Sequence, residues 1–335
     1  MPAATSPTSL TPPTVPDETD GDRILARIAR QGGVPELVEV LTERLAPSDL
    51  YSLLLAVARR QAAKVSPAEL LSRYEENRFV APSSVSPTRF SQLDLLAWSL
   101  LPPDCAALEL SPVCPLGTVS SIATIDQAKV LTTIHSTEVV ADSTNVLALE
   151  CALRRRRLLR AHPKNADRVR LAASQRLLRT QRFAPPASQH FRLIGLCTAG
   201  HDEGDFRFEA DSLVEHIGFF LRLLEAAPTI GLAVSGARLT LTDLRQGVRE
   251  PLLEERVAVP LAGRFPGIPW AFDRDRAHGR DYYCDVGYQI YVSDPDLGET
   301  LLVDGGFTDF TRRLLSSSKE RLLASGMGTE RICAL

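Results

Sequence analysis

Apolar residues recur at three- and four-residue spacing from Asp22 to about Tyr74: Ile24, Leu25 and Ile28, then Leu37, Val40, Leu41 and Leu45. That period predicts a helical region. Ser66-Pro-Ala-Glu69 adds a capping box, in which the serine oxygen accepts the N3 amide and proline takes N1. A loop rich in Pro and Ser over 81–87 leads to a helix near 89–101, and then the period changes. Short apolar runs predict strands at Ala107–Leu110, Val130–Ile134, Glu138–Ala141, Val169–Ala172, His190–Leu196, Phe206–Glu209, Gly231–Val234, Arg238–Leu241, Tyr288–Val292 and Thr300–Val303. Helices are predicted between them at about 145–160 and 212–226. Strands adjacent in sequence and joined by short turns imply an α+β fold, an antiparallel sheet of about six strands flanked by helices. The regular alternation and early glycine fingerprint of a Rossmann fold are not present.

Three segments follow: a tail over 1–20, a helical N-terminal region over 21–80 and a core over 81–335. The tail is dense in Pro, Ser and Thr and buries too little to offset its ordering entropy, so it is expected to be disordered. Hydrophobic residues at 44% and charged residues at 24% describe an ordinary globular protein. No apolar run approaches a membrane span, and the N-terminus lacks the regions of a secretory signal. Six cysteines without a C-x-x-C pair read as reduced thiols of a cytoplasmic protein. Charge adds one feature. Residues 152–182 hold ten arginines and Lys164 against Asp167, while the whole chain is −3. Such a block can meet RNA phosphates, an acidic partner, or the acidic remainder of its own chain.

The chemistry concentrates at the C-terminus, Gly326-Met-Gly-Thr-Glu-Arg-Ile-Cys-Ala-Leu335. Two glycines allow close backbone approach, and an arginine beside them suits a phosphate. Read alone, Gly-x-Gly before a helix is turn chemistry. The segment resembles the third signature motif of class II aminoacyl-tRNA synthetases, in the version of the histidyl-tRNA synthetase branch. The resemblance implies that Gly326, Gly328, Glu330 and Arg331 hold ATP, with magnesium as its companion ion.

Further segments fall in the order of that branch's catalytic core. The helix at 89–101 with Leu108-Glu-Leu-Ser-Pro112 is similar to the first motif, the dimer interface of the family. Val139-Val-Ala-Asp142-Ser-Thr144 looks like the turn whose acid and threonine grip an amino acid's ammonium. Asp142 would equally cap the next helix, and Leu171-Ala-Ala-Ser-Gln-Arg176 aligns to the same segment. His190–Leu196, the loop Gly200–Asp205 and Phe206-Arg-Phe-Glu209 stand where the second motif's hairpin should be. There the family's Phe-Arg pair, whose arginine holds the α-phosphate, is Thr198-Ala199. Arg207 is then the candidate catalytic arginine of the loop, with His201 nearby. His278-Gly-Arg-Asp-Tyr-Tyr283 resembles Arg-Gly-Leu-Asp-Tyr-Tyr, whose tyrosines line the histidine pocket; Tyr282 and Tyr283 could otherwise be sheet-surface residues. Asp304-Gly-Gly-Phe-Thr-Asp309 is close to Gly-Gly-Arg-Tyr-Asp. Two family arginines are thus His278 and Phe307 here.

The resemblance covers about 89–335 and stops within the helix after the third motif, without the anticodon-binding domain, as if the chain were truncated there. It implies a paralogue that binds ATP and a small amino acid, regulatory or scaffolding rather than tRNA-charging, as in the regulatory subunit of ATP phosphoribosyltransferase. The alternative is an adenylate-forming enzyme with another acceptor, using Arg207 and Arg331. A homodimer is expected, and a protein partner could dock on the N-terminal helices.

Overall fold

A computed structural model describes residues 20–123, 125–181, 183, 188–277, 279–294 and 298–334. All but the last residue of the expected tail, and His278, lie outside the described residues. The chain divides into two units, Met1–Val65 and Ser66–Leu335. The first contains the helices Asp20–Gly32 and Pro47–Ala62, and Ile24, Leu25, Ile28, Leu53, Leu54 and Val57 on them are exposed. The second opens on the helix Pro67–Glu76, where Ser66 Oγ accepts from Glu69 N at 3.2 Å as the capping box requires. No described helix is long and apolar enough to cross a membrane.

The strands of the second unit, in chain order, are β1 (Cys105–Ala107), β2 (Val113–Pro115), β3 (Thr137–Val139), β4 (Val169–Leu178), β5 (His190–His201), β6 (Arg238–Asp243), β7 (Trp270–Phe272), β8 (Val286–Asp294), β9 (Gly298–Thr308) and β10 (Glu320–Gly328). Eight of them form one sheet in the order β1-β4-β5-β10-β9-β8-β6-β7, antiparallel except for the edge pairs β1–β4 and β6–β7; β2 and β3 pair separately.

Each face of the large sheet carries a long helix. Arg207–Ala226 buries Phe208, Leu213, Ile217 and Phe220 with Ile194, Leu196, Leu323 and Met327 of one face. Ser143–Ala161 buries Leu147, Ala148 and Cys151 with Leu171, Ala173, Cys197 and Ala199 of the other. Each fully buried leucine here contributes about 1.5–3 kcal/mol. Gly195 on β5 sets the approach of the second helix, because a Cβ there would lie 2.8 Å from Ser143 Oγ.

The basic block meets its own chain. Arg155 pairs with Glu320, Arg168 with Glu203 and Asp211, Arg170 with Asp104 and Glu215, and Arg176 with Glu330.

Several expected elements differ. Phe206–Glu209 is no returning strand: Phe206 takes a left-handed conformation (φ 55°) and Arg207 begins the helix. The Phe-x-Phe alternation imitates a strand, but the buried Phe208 belongs to the helix's apolar stripe. Gly231–Val234 is a helix ending, with Gly231 at φ 79° and Leu232 N donating to Ala227 O. Val130–Ile134 makes only an isolated bridge, Thr132 to Glu138. Conversely β10 is a strand where a glycine turn was expected; neither Gly326 nor Gly328 has a positive φ.

Behind the sheet, His216 of the Arg207–Ala226 helix bonds Thr198 Oγ1 and Ser325 Oγ, both at 2.8 Å. Burial lowers its pKa to about 3. An unfolded histidine titrates near about 6.5, so below that pH the unfolded state binds the extra proton and stability falls. A loss of about 2 kcal/mol is expected between pH 7 and pH 5 from this one group. Urea midpoints at the two pH values, for the native chain and His216→Gln, check it: the substitution should flatten the slope, and an unchanged slope would assign the pH dependence elsewhere.

Candidate functional site

The N-terminus of the Ser143–Ala161 helix, the end of β4 and the face of β9 enclose a cavity of about 270 Å³. Asp142 caps the helix: its Oδ1 accepts from Thr144 N at 2.9 Å and from Thr144 Oγ1 at 2.8 Å. Its Oδ2 stands 3.4 Å from Arg179 Nη2, and both residues line the cavity. The cap and the pocket role are therefore not exclusive, since each uses a different oxygen.

Tyr282 and Tyr283 line the same cavity. Their rings meet edge to face at 5.0 Å, and Tyr282 meets Phe310 likewise at 5.3 Å. The Tyr282 hydroxyl donates to Asn145 Oδ1 at 2.9 Å and lies 3.2 Å from Thr144 Oγ1. Thr144 is thus turned to Asp142 and Tyr282 and is not itself a lining residue. Desolvation pushes both tyrosine hydroxyls well above their ordinary range, so both remain neutral. Asn145, 1% exposed, also lines the cavity, and its Nδ2 has no hydrogen-bond partner among the described residues. Val119, Ile125 and Val130 form an apolar wall beside Lys129. That wall is shaped by the buried Glu138, whose oxygens accept from Gly117 N, Val119 N and Gln127 Nε2 at 2.8–2.9 Å.

The floor follows from strand register. Residues directly opposite on neighbouring strands share a face. Gly195, Gly326 and Asp304 form one row across β5, β10 and β9. Asp304 lines the cavity, and Gly326, with Gly328 two residues on, lies on the same sheet face without a side chain; Gly326, Gly328, Glu330 and Arg331 are not themselves among the cavity's lining residues. A side chain at Gly326 would press within 3.1 Å of Leu193. Beyond Gly328, the Arg331 stem lies 3.5 Å from where a Cβ would stand, and its guanidinium donates to Leu301 O. Glu330 turns away, accepting from Arg192 N at 2.8 Å and from Ser83 Oγ.

Arg207 requires a correction. It is exposed at the start of a helix that packs on the opposite face and is not among the cavity's lining residues. The hairpin next to the cavity is β4–β5, with Leu178↔His190 as its last pair, so its loop opens on Leu178-Arg179. Arg179 is held by Ala141 O at 2.9 Å and lies 5.1 Å over the Phe191 ring. The hairpin was expected at β5 and Phe206–Glu209, one strand later than the β4–β5 pair that adjoins the cavity, so Arg179 was not among the expected site residues. Leu178-Arg179 was a readable signal, an arginine closing a long apolar alternation from Val169.

No family model and no curated protein matches the sequence. Solved structures match the fold. Apo histidyl-tRNA synthetase of S. aureus aligns with TM-score 0.53 at 14% identity, over 75% of this chain and 67% of that one. An ATP phosphoribosyltransferase regulatory subunit/histidyl-tRNA synthetase from Bacillus halodurans C aligns with TM-score 0.57 at 14% identity, over 77% and 82%. A histidine–tRNA ligase subunit from Alicyclobacillus acidocaldarius aligns with TM-score 0.53 at 11% identity, over 76% and 95%. At such identities the likeness concerns the fold. With the eight-stranded, mostly antiparallel sheet and its two long helices, it shows that this chain has the fold of a class II aminoacyl-tRNA synthetase-like core.

Proposed function

We propose that this chain is a synthetase-like paralogue whose cavity binds an amino acid at Asp142 and ATP along the bare floor of β10. One observation carries the reading: Asp142, the paired tyrosines and Arg179 stand around a single cavity, although they come from three separate stretches of sequence. A carboxylate suits an ammonium, and the rings suit a side chain. Gly326 and Gly328 suit the close approach of a nucleotide, with Arg179 at one end for the α-phosphate and Arg331 at the other. Magnesium would enter with the nucleotide, because no group of three His, Cys, Asp or Glu side chains suited to a metal occurs among the described residues.

The role is regulatory or scaffolding, with a cytoplasmic homodimer as the working assembly. The exposed apolar residues of the first unit support docking of a protein partner. RNA has less to hold, because Arg154, Arg155, Arg168, Arg170, Arg176 and Arg179, six of the block's ten arginines, are in internal ion pairs. Arg179 specifically favours a second reading, adenylate formation, because it supplies a preorganised donor at the α-phosphate. Calorimetric titration with amino acids, native chain against Asp142→Asn, tests the first reading: the substitution should abolish most of the affinity, and undiminished binding would reject it. Pyrophosphate exchange separates the second from the first.

A further inference from the structure

Asp304 is a lining residue to which no motif assigns a role. It sits on β9 in the row of Gly326. Its Oδ1 accepts from Arg276 Nη2 at 2.6 Å. Arg276 is 3% exposed and occupies the place of a missing side chain: a Cβ on Gly287 would stand 2.6 Å from its Nη1. Its guanidinium lies 5.1 Å over the Tyr283 ring, and that ring fills the space above Gly306, where a Cβ would be 2.7 Å from Cγ. Gly287 and Gly306 are paired across β8 and β9. Two glycines facing each other thus make room for a buried cation and a ring, and together these hold one carboxylate in place.

That carboxylate is not sealed in. The Asp304 side chain is 36% exposed against 1% for its partner, and the cavity is what it faces. Arg276 and Gln289, its cross-strand neighbour, use part of its acceptor capacity, and an ionised carboxylate offers about four lone-pair sites. Burial pushes the Asp304 carboxyl above its ordinary range, Arg276 pulls it down, and Asp142 adds repulsion from across the same space. Two carboxylates therefore face one small cavity. A ligand with a single ammonium pairs Asp142; a ligand with a second cation also reaches the part of Asp304 that Arg276 leaves open to the cavity, which Lys129 and Arg179 line as well.

We propose that Asp304 is the specificity-determining residue of the pocket and selects an amino acid whose side chain ends in an ammonium or guanidinium group, with Arg276 as its positioning residue. The proposal rests on the amino-acid reading of the cavity given above. Neutral side chains of the same length gain no ion pair at the open part of Asp304, and acidic ones are repelled by it.

Calorimetric titration of the full chain with lysine, ornithine, arginine, histidine, norleucine and glutamate tests this, each with native protein and with Asp304→Asn. Lysine, ornithine or arginine should bind best to the native chain. Asp304→Asn should weaken that ligand by about 10- to 150-fold, the value of one charge-assisted bond, and leave norleucine unchanged or tighter. A native preference for norleucine, glutamate or histidine overturns the proposal while leaving an amino-acid pocket standing, and it needs no variant to fold. An unchanged lysine-to-norleucine ratio in a folded Asp304→Asn also overturns it. Silence of the native chain with every amino acid rejects the pocket reading itself, and the selectivity with it.

Discussion

Glu320→Leu is expected to destabilise the fold by about 3–5 kcal/mol, the cost of leaving a buried charge without its partner. Glu320, at the start of β10, and Arg155, in the Ser143–Ala161 helix, both have fully buried side chains. Arg155 donates through Nε and Nη2 to the two carboxylate oxygens at 3.1 and 3.0 Å, and through Nη1 to Asp167 O at 2.7 Å. Glu320 Oε1 also meets His201 Nε2 at 2.9 Å. The pair thus ties the helix that presents Asp142 to the far end of the central strand. Removing one member leaves the other desolvated and uncompensated. Replacing both, Arg155→Met with Glu320→Leu, should recover most of the loss, because an apolar pair carries no desolvation penalty. Urea unfolding of the singles and the double checks this. Single variants within about 1 kcal/mol of the native chain would mean that water reaches the pair.

Arg179→Ala is expected to weaken ATP by about 10- to 150-fold, the range for one charge-assisted hydrogen bond. If pyrophosphate exchange is measurable, its rate should fall by about 100- to 1,000-fold, as for loss of one preorganised donor. The amino acid should not suffer, because the substitution also frees Asp142 Oδ2 from a cation 3.4 Å away. Arg207→Ala should leave both ligands untouched. ATP affinity unchanged in Arg179→Ala and reduced in Arg207→Ala would restore the earlier placement of the hairpin loop.

The contrast between those two arginines shows what was readable in the sequence. Strands with clear period-2 patterns were placed well: β4, β5, β6, β8 and β9 all overlap their expected runs. Both long helices followed from their apolar stripes. What failed was pairing. Phe206-Arg-Phe-Glu209 satisfied the local pattern of a returning strand, yet β5 takes β4 and β10 as neighbours, a long-range choice that no local period encodes. β10 was hidden for a different reason. Its glycines have low strand propensity and read as a turn, whereas in the sheet Gly326 leaves room for Leu193 and Gly328 for the stem of Arg331. Asp142, Tyr282 and Tyr283 could be singled out because their segments resemble motifs of one family, and they meet at one cavity. Asp304 and Arg276 were not, because their meaning depends on two glycines paired across β8 and β9.

The measurement closest to the central claim is the titration of an amino acid into Asp142→Asn. Asparagine caps a helix about as well as aspartate, so the cap on Thr144 N survives and stability should change by less than about 0.5 kcal/mol. The charge facing the cavity is lost, and amino-acid affinity should fall by about 10- to 150-fold. A variant that melts as the native chain does and no longer binds is the predicted result. A variant that binds its amino acid as the native chain does would contradict the account, and would leave Asp142 as a helix cap alone.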